Sequence, residues 1–422
     1  MGANEATTGG PARDSRQGVA ADEVRRHNLG AVLERLHLSG PLSRSVLTKM
    51  TGLNRSTIAD LLGELVALGL VEERPGSAGS GPGRPSPVVK IRPDRASVLA
   101  VELAVDSIGV ATVGLGGHVY NRIRVARPRG RFSPEETVQD VAKLAGPLLA
   151  SLPAEHVLVG VGAAVVGITR RSDGFVHLAP NLGWRDVPLA SMLAAELDLG
   201  TPVLAANEAD LGALAEYLRG RHPGIANLVY VSGEVGIGAG VIVDGKPLLG
   251  SAGYAGEAGH TLIDPHGSVC RCGAIGCWET EAGEAALLRR AGVGEGTGRL
   301  DEVAARAAAG DEPTLQAVAE VGRWLGLGIG NLINLFNPDL VVLGGLYQRL
   351  FTFLEPSVLD GARQRALEAP GEMATIAPSA LGPDAPLIGA AELVLSRVIA
   401  DPAHVDGRRV SGRVGAVGRR GR

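Results

Sequence analysis

Aromatic residues and long apolar runs are scarce in this sequence. Only 3% of the 422 residues are aromatic, so the hydrophobic cores must be built from Ala, Val and Leu. No apolar run reaches the roughly 18–20 residues that a membrane-spanning helix needs. The stretch MGANEATTGGPARDSRQ also lacks the basic start and apolar core of a signal peptide. We therefore expect a cytoplasmic protein with no membrane partner.

Cysteine is equally scarce, and charge is unevenly distributed. The chain has three cysteines, an odd number that argues against a disulfide framework.

The net charge of the chain is −4, yet the first 95 residues carry 13 Lys/Arg against 10 Asp/Glu, and residues 401–422 carry six Arg against two Asp. The body between these ends is therefore acidic. This asymmetry indicates that the front of the chain meets a polyanion.

Composition divides the chain into four segments. Residues 1–20 are polar and Gly-rich, residues 401–422 are basic and Gly-rich, and both are predicted to be disordered. Residues 21–95 have helical periodicity followed by two short strands, VEE and PVVKI. Residues 96–400 alternate strand-like runs such as SVLAVELA with helix-like stretches, which predicts an α/β domain. This series starts afresh near residue 200, as two lobes would require.

Three helices followed by a two-stranded wing predict a winged helix-turn-helix domain in residues 21–95. The second and third helices are split at residues 51–53, with Ser43 and Asn54 as their predicted N-caps. The start of the third helix would face base edges and phosphates in the major groove. The DNA-contacting residues predicted there are Asn54, Arg55, Ser56 and Thr57.

The loop between the two wing strands contains Gly83, Arg84 and Pro85. Flanking Gly and Pro keep the backbone slim and extended, so Arg84 is predicted to enter a narrow A·T minor groove. Operator DNA is therefore the predicted partner of this domain. The alternative is a small protein-binding bundle in which Arg84 is a solvated loop cation.

One Gly-rich loop, GHTLIDPHGSVCRCGAIGCWE, holds every cysteine of the chain and a histidine. Soft sulfur ligands with one imidazole, and no evident place for water, describe a closed structural zinc (Zn2+) site. The predicted ligands are His260, Cys270, Cys272 and Cys277. Free thiols used as small core residues are the alternative, but this polar loop is not a buried apolar segment. Because zinc thiolates can be oxidised, redox sensing stays open as well.

The segment GEAGHTLIDPHGSVCRCGAIGCWE resembles the signature of the ROK family of repressors, open reading frames and kinases, and the resemblance continues through NLINLFNPDLVVLGG. It covers most of residues 21–400. It implies a two-lobed, actin-like (ribonuclease-H-like) domain of the ATPase fold behind the winged helix, with a sugar or sugar phosphate in the cleft. It also implies that the zinc loop, residues 260–277, stiffens the sugar pocket. The sugar contacts that it implies are Asn181, Asn207, Glu208, Glu257, His260 and Glu279.

Three motifs depart from the pattern of ROK kinases. Their first phosphate loop is Asp-x-Gly-Gly-Thr, whereas this chain has ELAVD, with Ala104 and Val105 in place of both glycines. Without glycine the backbone cannot approach a phosphate closely. The second loop, GEVGIGAG, has Val235 in place of a threonine, behind the acidic Glu234. Glu208 stands where the kinases have an aspartate base, and a misplaced base loses rate steeply.

We therefore predict a non-enzymatic, sugar-responsive transcriptional regulator, a repressor of carbohydrate-utilisation genes. It would act as a homodimer or tetramer and be nucleoid-associated when bound to DNA. Two alternatives stay open. One is an active ATP-dependent sugar kinase with an appended DNA-binding domain, and the other is regulation by a phosphotransferase protein instead of a sugar.

Overall fold

The computed structural model describes residues 14–75, 86–130, 132–294, 296, 298–404 and 408–409. The N-terminal domain combines three helices with a three-stranded sheet in which β3 lies between β1 and β2 and is antiparallel to both. Its elements are α1 (Asp14–Ser39), β1 (Leu42–Ser43), α2 (Arg44–Thr51), α3 (Arg55–Ala67), β2 (Val71–Arg74) and β3 (Val88–Ile91). This is the order of helices and wing strands that the sequence predicts.

Local sequence sets the helix boundaries of this domain. The Ser43 hydroxyl accepts a hydrogen bond from Val46 N at 3.3 Å, and Asn54 Oδ1 accepts one from Thr57 N at 2.8 Å. Both predicted N-caps are therefore confirmed. Gly52 ends α2 with a φ of +71°, a left-handed conformation that glycine adopts without strain.

The first helix is longer than expected. It begins at Asp14, so the prediction that residues up to 20 are disordered is wrong for residues 14–20, and the domain boundary expected at residue 21 lies inside a helix. The physical reason is propensity, because the Arg, Gln and Ala residues of this stretch favour helix enough to outweigh Gly18. Residues 1–13 of the predicted tail lie outside the described residues.

The first lobe is built on a five-stranded core sheet in the order β11-β7-β4-β5-β6, with a small antiparallel sheet β10-β9-β8 beside it. A 3-10 turn (Pro93–Arg95) leads into the lobe. Its elements are β4 (Ser97–Leu103), β5 (Ser107–Gly114), β6 (His118–Ala126), α4 (Pro134–Ala150), β7 (Val157–Val165), β8 (Ile168–Arg170), β9 (Phe175–Ala179), β10 (Trp184–Val187), α5 (Leu189–Leu197), β11 (Val203–Asn207) and α6 (Glu208–Arg219).

The second lobe has its own five-stranded sheet, in the order β14-β13-β12-β15-β16. Its strands and the last elements of the chain are β12 (Leu228–Gly233), β13 (Ile237–Val243), β14 (Lys246–Pro247), α7 (Trp278–Ala282), α8 (Glu284–Arg290), α9 (Arg299–Ala308), α10 (Glu312–Phe336), β15 (Leu340–Gly345), α11 (Leu346–Arg349), α12 (Phe351–Arg365), α13 (Glu368–Met373), β16 (Thr375–Pro378), α14 (Ala385–Ala400) and β17 (Arg408–Arg409). Short 3-10 turns lie at Ala258–His260, Gly382–Asp384 and Pro402–His404.

The two core sheets repeat one pattern. In each, three consecutive strands are antiparallel, and the first of them also pairs in parallel with a later strand: β4 with β7 in the first lobe, β12 with β15 in the second. The next strand, β11 or β16, adds in parallel at the outer edge. This duplication is the two-lobed, actin-like architecture, so the predicted fold class is confirmed.

Helices α6 and α14 pack tightly against each other, and α14 also packs on β4 and β7. Close packing requires glycine at Gly389, where a Cβ would overlap the carbonyl oxygen of Leu211 on α6. The apolar core beneath α14 is continuous with the core of the N-terminal domain. That shared core includes Leu33 and Leu36 of α1 together with Leu387 and Leu395 of α14.

The C-terminal segment is partly ordered. Beyond α14 the chain forms the turn Pro402–His404, and β17 then pairs with the first residues of β7, Arg408 opposite Leu158 and Arg409 opposite Val157. Disorder was predicted from residue 401 onward, and that prediction is wrong for these residues. The pairing is available because β11 joins β7 only from Val161 onward. Residues 410–422 lie outside the described part of the chain.

Across the described residues, none of the helices combines the length and the apolar character that crossing a bilayer requires.

Candidate functional site

A loop between β14 and α7 folds back on itself and gathers the predicted metal ligands. Ile263 N donates a hydrogen bond to the carbonyl oxygen of Gly276 at 2.8 Å, which closes the base of the loop. Gly276 has a φ of +73°, and a Cβ there would overlap the carbonyl oxygen of Asp264. Only glycine fits at this turn, and the turn returns Cys277 to the side of His260.

The four predicted ligands form one cluster, and their ligand atoms all lie within 4.8 Å of one another. Cys270 Sγ lies 3.6 Å from His260 Nδ1. Cys272 Sγ lies 3.7 Å from Cys277 Sγ. A tetrahedral zinc ion with Zn–S bonds of about 2.3 Å would separate neighbouring sulfurs by about 3.8 Å. The donor set and its spacing therefore fit a four-coordinate metal ion.

Two of the predicted sugar-binding carboxylates adjoin this cluster. Glu279, in the first turn of α7, accepts a hydrogen bond from Ile237 N at 3.2 Å, and its other oxygen lies 4.0 Å from Cys270 Sγ. Glu257 directly precedes the 3-10 turn that ends at His260. Burial raises the pKa of Glu257, His260 opposes that shift, and Glu279 adds to it. The structure thus brings Glu257, His260 and Glu279 together at the metal loop.

The metal loop also reaches Asn181, which lies in the first lobe on the turn between β9 and β10. Arg271 Nη1 donates a hydrogen bond to Asn181 Oδ1 at 2.7 Å. Arg271 stands between Cys270 and Cys272, so coordination on both sides would fix the base of its side chain. Arg271 was not among the predicted site residues, and its place between two metal ligands was the one sequence signal that marked it.

Asn207 and Glu208 lie at the start of α6. Asn207 Oδ1 accepts a hydrogen bond from Ala209 N at 2.8 Å and caps the helix, while its Nδ2 donates to the carbonyl oxygen of Gly167 at 3.0 Å. These bonds orient the first turn of α6 and so position Glu208. The role of both residues in sugar binding stays a prediction.

Glu208 belongs to a carboxylate cluster, which consists of Glu102, Asp106, Glu208 and Glu234. These side chains line a cavity of about 400 Å³ between the two lobes. Arg124 Nη2 donates to Glu102 Oε2 at 2.6 Å, the closest cationic contact within the cluster. The four carboxylates come from both lobes, from the end of β4, the start of α6 and the end of β12.

Crowding of like charges away from bulk water changes the protonation of the carboxylate cluster. Burial, and then Glu102 and Asp106, raise the pKa of Glu234 to about 7. Burial and the neighbouring Glu234 and Glu102 raise the pKa of Glu208 well above its usual value. The cluster therefore holds protons near neutral pH, and any charge it carries is negative.

In the N-terminal domain, the predicted DNA-contacting residues lie together at the start of α3. Asn54, Arg55 and Ser56 are exposed, and Thr57 is half-buried. Ser56 Oγ donates to Asn54 Oδ1 at 2.7 Å, so these two side chains hold each other. Arg55 lines an open groove with residues of α2. The predicted wing contact, Arg84, lies outside the described residues, and all five DNA contacts stay predictions.

Fold and site together define the class of protein: a winged-helix domain joined to a two-lobed body of the sugar-kinase type. Comparison with known proteins gives the family. A model described as "ROK family" matches residues 98–397, and the chain belongs to that family.

Three relatives illustrate what the chain is similar to. The xylose repressor of Caldicellulosiruptor bescii is 31% identical over 382 residues, which cover 86% of this chain and 94% of that protein. The glucokinase of Streptomyces coelicolor is 31% identical over 316 residues, which cover 70% of this chain and 96% of that protein. A crystal structure of a ROK family transcriptional regulator, a homologue of the E. coli Mlc protein, has a TM-score of 0.75 at 26% identity and covers 90% of this chain and 98% of that one.

The metal cluster predicts the behaviour of a cysteine variant. Cys272→Ser should abolish stoichiometric zinc binding, because a hydroxyl is a far poorer ligand for this soft site than a thiolate. The measurement is the zinc content of the purified protein by elemental analysis. His266→Gln, a change to an exposed loop residue outside the cluster, is the control and should keep its zinc. Equal zinc contents in wild type and Cys272→Ser would contradict the ligand set.

The carboxylate cluster predicts how stability depends on pH. Because the pKa of Glu234 is raised in the folded state, its contribution to stability is complete below the ordinary carboxyl pKa of about 4.3 and is lost as pH rises through about 7. The melting temperature should therefore fall as pH rises between about 5 and 8, and Glu234→Gln should make that fall shallower. Glu302→Gln, at a partly exposed carboxylate whose pKa is lowered by Arg299 and Arg306, should leave the slope unchanged. A slope that Glu234→Gln does not alter would refute the assignment.

Proposed function

We propose that this protein is a sugar-responsive repressor of carbohydrate-utilisation genes, in which a body of the kinase type senses a sugar without phosphorylating it. The observation that carries this function is the similarity to sugar repressors along nearly their whole length, N-terminal domain included. The glucokinase is matched almost end to end yet leaves part of this chain unmatched. The winged helix lies before residues 98–397, the part of the chain that the family model matches.

The phosphate-handling region supports the absence of kinase activity. At the end of β4, Ala104 and Val105 are buried, and Ala104 N donates to the carbonyl oxygen of Ser107 at 3.1 Å, so this turn has no open glycine backbone for a phosphate. The cavity beside it is lined by the carboxylate cluster. Arg129 and Arg349 also line it, but Arg129 is paired with Glu284 and Arg349 with Asp301. A nucleoside triphosphate placed there would face carboxylates from both lobes, and any charge that these carboxylates carry would repel it.

The polar group at the metal loop supports sugar recognition. Carboxylates accept hydrogen bonds from hydroxyl groups, and Glu257 and Glu279 lie close together beside His260. Asn181 adds an amide from the opposite lobe. In this proposal the metal is a structural zinc ion, held by the three cysteines and His260, and it supplies rigidity to the loop that carries these groups. A sugar gripped from both lobes would favour one lobe arrangement over another.

The start of α3 supports DNA reading, with Asn54, Arg55, Ser56 and Thr57 presented on one exposed helix end. A repressor reads two half-sites about 34 Å apart, which requires two winged helices, so we expect a homodimer or tetramer. Such a protein would act in the cytoplasm, on the nucleoid. Regulation by a phosphotransferase protein is the second candidate for the input signal.

The function predicts a sugar-dependent operator affinity. Duplexes selected by the wild-type protein from a random pool would serve as operator, and D-xylose and D-glucose as sugars. One of these sugars should raise the melting temperature and change the operator Kd by about 5- to 150-fold. The Glu257→Gln variant should show neither the rise in melting temperature nor the change in operator Kd. It should still bind operator DNA, because the substitution alters only the proposed sugar site.

Glu312→Gln, at an exposed carboxylate of α10 far from the metal loop, is the matched control and should respond as wild type does. No selectable duplex, or an operator Kd that neither sugar changes, would contradict the proposal. If neither sugar changes the operator Kd but an added phosphotransferase protein does, regulation by that protein is favoured.

A further inference from the structure

A buried polar contact joins the N-terminal domain to the body. His37 lies in the last turn of α1, Glu392 lies in α14, and Arg219 is the last residue of α6. The side chains of His37 and Glu392 are each 1% exposed, and that of Arg219 is 14% exposed. Charged groups are rarely buried this deeply unless they are paired, so the contact calls for an explanation.

The hydrogen bonds of this contact define its charges. His37 Nδ1 accepts from Gly116 N at 2.8 Å, so its proton lies on Nε2, which is 2.8 Å from Glu392 Oε2. Arg219 Nε donates to Glu392 Oε1 at 2.7 Å. Burial alone would raise the pKa of Glu392, but His37 and Arg219 outweigh burial and lower it, so the carboxylate is ionised. The imidazole of His37 thus joins a buried ion pair between Arg219 and Glu392.

Arg219 is also bound to the backbone of the N-terminal domain. Its Nη1 donates to the carbonyl oxygen of His37 at 2.8 Å, at the end of α1, and Nη2 lies against the imidazole ring. The β5–β6 turn covers the guanidinium closely, since a Cβ at Gly117 would lie 2.9 Å from Arg219 Cζ. Arg219, a residue of the body, therefore contacts both the imidazole ring of His37 and the main chain at the end of α1.

Helix α6 connects this contact to the sugar site. The helix has 12 residues, a rise of about 18 Å. Asn207 and Glu208 stand at its start, where the proposed sugar contacts lie, and Arg219 stands at its end. The residues between them are mostly buried, from Ala209 to Glu216. A packed helix of this kind moves as a unit, so a shift at its first turn is carried to its last.

The same helix is tied to the segment that follows the second lobe's sheet. Glu216, fully buried in α6, accepts hydrogen bonds from Ser379 Oγ at 2.5 Å and from Leu381 N at 2.9 Å, just beyond β16. A change in the angle between the lobes would therefore act on α6 near its end as well as at its start. The neighbouring α14 begins at the interlobe cavity and ends beside α1, where Gly30 lies against the Ile399 carbonyl oxygen.

We infer that Arg219, Glu392 and His37 form the coupling contact through which the state of the sugar site reaches the DNA-binding domain. This inference rests on the proposed function and adds the route by which the sugar site influences the DNA-binding domain. These residues are positioning residues, since they touch neither the proposed sugar site nor the predicted DNA-contacting residues. Sugar binding at the start of α6 alters the position of Arg219. The contacts of Arg219 with the end of α1 then transmit that change to α3.

The test is Glu392→Gln in the full-length protein. The amide keeps the shape of the side chain but removes the charge that balances Arg219. Operator Kd is measured with and without saturating D-xylose or D-glucose, and sugar Kd is measured by calorimetry. We expect an unchanged sugar Kd and a sugar effect on operator Kd that falls from the wild-type value, about 5- to 150-fold, to near one.

The control is Asp311→Ala, which removes the N-cap of α10 in the second lobe, where Asp311 Oδ2 accepts from Thr314 N at 3.1 Å. It lowers stability without touching the coupling contact and should keep the full sugar effect. If Glu392→Gln does not fold, the double variant Arg219→Gln/Glu392→Gln removes both charges together and takes its place, with the same expectation.

The outcomes separate this inference from the function on which it rests. A wild-type protein whose operator Kd no sugar changes overturns the proposed function and the inference with it. A responsive wild type with an equally responsive Glu392→Gln, or double variant, overturns the coupling contact alone. A sugar effect lost equally in Asp311→Ala also overturns it, because the loss would then follow stability and not the contact.

Discussion

Carboxylates packed into the cavity between the lobes govern what this cavity can bind. Glu102, Glu208 and Glu234 face one another where a kinase of this fold must accept phosphates, and their raised pKa values show how strongly burial and mutual repulsion oppose a full set of charges. Such a cavity is poorly suited to a polyanion. In the proposed function, the chemistry of this two-lobed body favours occupancy of the sugar site over transfer of a phosphoryl group.

Two further contacts connect the sugar site to the rest of the protein. Arg271 of the metal loop bonds Asn181 of the opposite lobe, so the loop held by the metal ligands spans the cleft. Arg219 then bonds Glu392 and His37, so the body grips the DNA-binding domain by charge and hydrogen bonds within a continuous apolar core. These contacts connect the metal loop to the opposite lobe and the body to the winged-helix domain.

Sequence reasoning succeeded where the signal was local. Ser43 and Asn54 cap helices as expected, the cysteine loop assembles as a metal site would, and the main strands were visible as apolar runs. It failed where the outcome depends on residues far apart in the chain. His37 meets Glu392 across 355 positions, and no periodicity marks such a pair. The extension of α1 to Asp14 and the pairing of β17 were missed because composition signalled disorder, whereas helix propensity and an open strand edge decided the structure.

A protein that senses a sugar without converting it has no use for MgATP, so titration with MgATP distinguishes this function from kinase activity. Calorimetry of the full-length protein, saturated with a sugar that raises its melting temperature, would report nucleotide binding, and an assay of sugar phosphate in the same sample would report turnover. We expect no measurable heat of nucleotide binding and no sugar phosphate. Saturable MgATP binding, accompanied by sugar phosphorylation that Glu208→Gln abolishes, would contradict it.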